Sequence, residues 1–96
     1  MRTKFLIRQN KWFIKGYILR GTFPLPDGMT TDILENRVNE MSDTSVLDMY
    51  YYVDDSALPL HKGDRVMMGE FSWYVHDIVF DYNNNNLIYT LSKYGL

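Results

Sequence analysis

The sequence predicts a β-rich α+β domain: a small, strongly bent antiparallel barrel or roll with one helix inserted near residues 30–41. Three observations carry that prediction. Six segments have the period-two alternation of half-buried strands, while only one stretch, Thr30 to Met41, has helical spacing. The alternation also changes phase near Gly16 and between Val75 and Ile78, where a strand bending around a small core needs a bulge. The 96 residues form one expected domain, 1–96, because chains divide into separate cores only at greater lengths. A composition 46% apolar and 16% aromatic fills such a core and excludes a wholly disordered chain.

The first two strands are expected as a hairpin, Lys4 to Gln9 and then Trp12 onward, turning at Asn10-Lys11 because Asn tolerates a positive φ. In that register Phe5, Ile7, Trp12 and Ile14 face the core. Lys4, Leu6, Arg8, Phe13, Lys15 and Tyr17 share the other face. Pro24, Pro26 and Gly28 then interrupt the sheet pattern. In the helix that follows, Leu34, Val38 and Met41 form one stripe with Ile33 beside it. Asp32 and Glu35 have capping-box spacing, and Thr31 is the alternative cap.

Val46 to Val53, rich in tyrosine and β-branched residues, is the clearest strand. Leu47, Met49, Tyr51 and Val53 take its core face, and Asp48, Tyr50, Tyr52 and Asp54 take the other. A crossing loop, Asp55 to Lys62 with Pro59 inside it, leads to a C-terminal meander. Arg65 to Met68 and Phe71 onward are joined by Gly69-Glu70, a two-residue turn with Gly first. In the long strand Phe71 to Tyr82 the core positions Trp73 and Val75 give way to Ile78, Phe80 and Tyr82, with His76 and Asp77 at the crossover. Asn83 to Asn86 close a four-residue loop before a last strand, Leu87 to Tyr94. The segment Lys62-Gly63-Asp64-Arg65-Val66, with its turn and the Trp73-Tyr74-Val75 strand, resembles the Gly-Asp-x-Val openings of SH3-like barrels. An SH3-like or Sm-like barrel is therefore the expected form, and an open α+β sheet the alternative.

No arrangement of residues supports catalysis, and the chain is expected not to be an enzyme. Asp77 and Asp81 stand four residues apart on a strand, about 13 Å, which is farther than paired glycosidase carboxylates. Ser72, His76 and Asp77 on one strand cannot meet as a triad. His61 and His76 lack short metal-ligand spacing, and the six glycines form neither a P-loop nor a dinucleotide fingerprint. No cofactor and no metal are expected. The absence of cysteine, with no signal-peptide h-region and no membrane-length apolar run, points to a cytoplasmic protein and no membrane partner.

Charge is the more informative feature. The formal net charge of -2 argues against polyanionic partners, but it conceals an asymmetry. Residues 1–22 carry Arg2, Lys4, Arg8, Lys11, Lys15 and Arg20 and no acid; residues 23–60 carry Arg37 against eight Asp and Glu. Two candidate binding strips follow. One is basic and aromatic: Lys4, Arg8, Phe13, Lys15 and Tyr17, a pattern that tracks phosphates and stacks bases. Its plainer reading has Phe13 and Tyr17 packed beneath the helix or a loop, leaving ordinary solvated lysines. The other strip is acidic and tyrosine-rich: Asp48, Tyr50, Tyr52 and Asp54, with the tyrosines either an interface or covered by the helix. The strips are complementary, and would meet within one protomer or between protomers in a ring.

The resulting expectation is a non-enzymatic binding module working by protein-protein contact, including self-association as a homo-oligomer: an adaptor, inhibitor or assembly component. The alternative is single-stranded nucleic acid or RNA binding through the basic N-terminal strip.

Overall fold

The computed structural model of the chain describes residues 1–53 and 59–93. Five strands form one open mixed sheet in the order β2-β1-β5-β4-β3. They are β1 (Arg2–Asn10), β2 (Val46–Val53), β3 (Arg65–Met68), β4 (Phe71–Asp81) and β5 (Asn86–Ser92). β1 lies antiparallel to β2 and parallel to β5, and the other pairings are antiparallel. β2 and β3 stand at opposite edges, so the sheet does not close into the expected barrel or roll. The reason lies in the first connection, where the chain leaves the sheet after β1 instead of doubling back as a hairpin.

At that exit the Asn10 side chain accepts a hydrogen bond from the Phe13 N–H at 2.9 Å. It therefore caps the short helix α1 (Lys11–Phe13), which runs on as a π-helical segment, Ile14–Ile18. Phe13, Ile14 and Ile18 are buried on the side turned to the sheet, whereas Trp12 is 59% exposed. The expected second strand is thus helical, and the bulge expected at Gly16 falls inside the π-helical segment.

The predicted long helix is present as α2 (Thr31–Glu40). Thr30 is its N-cap, accepting from the Ile33 N–H, so neither Asp32 nor Thr31 plays that part. Leu34 and Val38 are fully buried, each contributing roughly 1.5–3 kcal/mol relative to exposure; Ile33 faces solvent. Both helical layers cover the same sheet face, whose core residues are Phe5, Ile7, Met49, Tyr51, Trp73, Val75, Tyr89 and Leu91.

β2 matches its predicted bounds, and the Gly69-Glu70 turn is also as expected. Gly69 has φ 61° and its neighbour does not, which is the type II′ arrangement. A side chain there would also meet the Phe23 ring, 2.6 Å from an added Cβ. In β4 the ladder to β5 jumps between Val75 and Asp77, so His76 is the bulged residue that shifts the apolar phase. Ile78 packs on the core after the bulge, but Phe80 and Tyr82 are exposed. Phe80 keeps the parity of Ile78 and lies opposite Leu87, but near the end of β4, where the core cluster does not reach it, and Tyr82 falls beyond the strand. Among the described residues no helix is long and apolar enough to cross a membrane.

Candidate functional site

With helices on only one side, the second face of the sheet is open to solvent, and strand alternation decides what it displays. From β1 come Lys4, Leu6 and Arg8, whose cross-strand partners on β2 are Tyr52, Tyr50 and Asp48. On the other side of β1, Lys4 pairs with Ile88 and Leu6 with Thr90 of β5; these in turn face Val79 and Asp77 of β4. The parity that buries Phe5 and Ile7 therefore presents a band of tyrosines, cations and aliphatic side chains on the outside.

The two charged strips meet here, within one protomer. Arg8 Nε lies 2.5 Å from Asp48 Oδ1 and Nη2 3.2 Å from Oδ2, a forked pair that raises the Arg8 pKa, chiefly through the hydrogen bond. The Arg2 guanidinium sits 3.8 Å from the centre of the Tyr52 ring, and Lys4 Nζ 4.5 Å from that of Tyr50. Tyr52 is 45% exposed and Tyr50 half-buried. The helices do not cover either ring. Asp54, the fourth member of the acidic strip, lies outside the described residues.

The basic strip, by contrast, does not survive as one surface. Lys4 and Arg8 stand on the open face, but Phe13 is a core residue, 6% exposed and in contact with Tyr17, Phe23, Phe71 and Trp73. Tyr17 packs on Phe71 at the rim of that cluster, and Lys15 stands beside Trp12 on the helical side. This dispersal follows from the helical turn at Asn10. Lys93 Nζ completes the cluster, 4.8 Å from the Phe13 ring and 4.7 Å from Phe71, a contact that residue spacing does not signal.

Asp27 is a further residue that strand patterning does not reveal. Its N–H donates to Tyr50 O at 2.9 Å and its carboxylate accepts from the Tyr52 N–H, so the Pro26-Asp27-Gly28 loop blocks the outer edge of β2. Tyr51, on the core side, donates to Pro24 O at 2.9 Å, and burial pushes its hydroxyl pKa up.

The groups weighed for chemistry stay apart. His76 is exposed on the bulge, and Asp77 faces Lys62 at 3.7 Å. His61 and Asp64 form a local turn, with the carboxylate accepting from the His61 N–H at 2.7 Å. Among the described residues no three His, Cys, Asp or Glu side chains converge as a metal-binding group.

Fold and surface together define a small β-rich α+β domain with one covered and one open sheet face. Comparison of the chain with protein-family models, curated proteins and solved structures finds no match.

Proposed function

We propose that the protein is a non-enzymatic binding module that engages a protein partner through the open face of its sheet. The observation that carries this reading is the Tyr50-Tyr52-Lys4-Leu6-Arg8 surface, continued by Ile88 and Val79, in which rings and aliphatic side chains are rimmed by charges. Tyr and Arg enriched around an apolar centre are the composition of protein interfaces, where large rigid rings bury area at low entropy cost. An adaptor, inhibitor or assembly component needs such a surface and no reactive group.

Nucleic acid is the second reading, because cations alternate with aromatic rings on the same face. The geometry favours it less. Arg2 and Lys4 already lie over the faces of Tyr52 and Tyr50 that a base would stack on, and Arg8 is neutralised by Asp48. Strip-to-strip ring assembly is weakened for the same reason, since the complementary charges are satisfied within one molecule.

The test is an affinity capture from the native host with wild type and with Tyr50→Ser/Tyr52→Ser, both checked for folding by circular dichroism. A protein retained by wild type and lost with the variant supports the reading. Equal retention by the two overturns it, as does retention by wild type of labelled single-stranded nucleic acid alone.

A further inference from the structure

The two edges of the sheet are built differently. β2 is blocked by Asp27 at Tyr50 and Tyr52. Among the described residues β3 has no such guard. Its hydrogen-bonding parity follows from the turn: a two-residue Gly69-Glu70 loop makes Met68 and Phe71 a mutually bonded pair, so Val66 also bonds inward to Trp73. Asp64, of the same parity, confirms this by accepting from the Val75 N–H at 2.9 Å. The backbone N–H and C=O of Arg65 and Met67 therefore point away from the sheet, and among the described residues nothing bonds them.

An exposed edge is a template for another strand, and proteins ordinarily blunt it by keeping the strand very short, with charged side chains, proline or a bulge, or with a covering helix or loop. Arg65-Val66-Met67-Met68 is short and carries one charge, on the solvent side, but among the described residues it has no proline, no bulge within it and no covering loop: Met67 is 59% exposed and the strand pairs regularly with β4.

We propose that β3 pairs with β3 of a second copy of this chain, antiparallel about a two-fold axis, joining two five-stranded sheets into one. A second copy fits because the edge is self-complementary. With Val66 on the axis, Arg65 of each copy stands opposite Met67 of the other, so each pair exchanges two backbone bonds and no like charges face each other. Val66, half-buried against the core, meets its counterpart on the axis and continues the apolar layer across the join, while Met68 of each copy stands opposite Asp64 of the other. The open tyrosine face is not consumed, so this contact stands independently of the partner proposed for that face.

Sedimentation equilibrium over a wide concentration range tests the pairing, together with hydrogen exchange read residue by residue. The expected result is a reversible dimer in which the Arg65 and Met67 amides exchange more slowly as concentration rises. Met67→Pro removes an outward donor from each copy without touching the β3–β4 ladder, and should weaken the dimer about tenfold or more. Met67→Leu and Tyr50→Ser/Tyr52→Ser should leave it intact. A monomer at every concentration overturns the proposal. So does a dimer whose Arg65 and Met67 amides exchange at concentration-independent rates, or one lost with the tyrosine variant and retained by Met67→Pro.

Discussion

Arg8 and Asp48 close a forked ion pair across the β1–β2 ladder, joining the cationic start of the chain to its acidic middle. Their side chains are 58% and 40% exposed, so water and salt screen the attraction. In a double-mutant cycle, Arg8→Ala and Asp48→Ala should show a small favourable coupling in low salt that falls towards zero at about 1 M. Chemical unfolding of the four proteins measures it. A coupling that survives high salt would mean that the pair is shielded in a way its exposure does not allow.

Two glycines should respond oppositely to the same substitution. Gly69 combines φ 61° with the Phe23 ring 2.6 Å from any added Cβ, so Gly69→Ala should destabilise by about 1–3 kcal/mol. Gly16 lies in the π-helical segment with nothing within 4 Å of an added Cβ, and its φ is not positive. There Ala should stabilise by about 0.5–1 kcal/mol, because it removes unfolded-state entropy and favours helix. Urea midpoints for both variants decide the matter, and equal effects would contradict the close Phe23 contact.

What residue patterns made legible, and what they did not, divides along the range of the interactions. β2, α2, the Gly69-Glu70 turn and the bulge at His76 are local: each is written in a run of alternating or helically spaced residues, or in one glycine. Asn10 shows where local reading fails. Asn suits both a hairpin turn and a helix N-cap, and Trp12, Ile14 and Gly16 mimic strand alternation over a stretch too short for helical periodicity to stand out. The parallel β1–β5 pairing joins the two ends of the chain and leaves no local mark, so an open sheet could not be told from a barrel. Similarly, the complementarity of the charged strips was visible in composition, whereas their meeting within one protomer depended on β2 docking beside β1.

Phe13 and Trp12, adjacent in sequence, should separate core from surface. Phe13 is 6% exposed among four aromatic neighbours, with Lys93 closing over it and Phe71, and Phe13→Ala should cost about 3–5 kcal/mol. Trp12 is 59% exposed, and Trp12→Ala should change stability by no more than about 0.5 kcal/mol. Thermal unfolding of the two variants would reverse this order only if the chain formed the hairpin in which Trp12 faces the core.

Asp81 provides a prediction about pH. At the β4–β5 loop its carboxylate accepts from Asn84 Nδ2 at 2.8 Å and from the Asn83 N–H at 3.2 Å. These bonds, led by the Asn84 side chain and assisted weakly by the charge of Lys4, hold its pKa below the ordinary Asp value. Because the folded pKa is the lower one, the unfolded chain takes up the proton first as pH falls. The stabilisation is therefore complete above the ordinary Asp range and is lost as pH descends through the folded value. Carboxyl-carbon NMR titration should place Asp81 below an unstructured Asp. Asn84→Ala should bring it most of the way back and Lys4→Gln much less, since a hydrogen bond to the charged form outweighs a screened surface charge. The reverse order would assign the shift to the sheet face rather than to the loop.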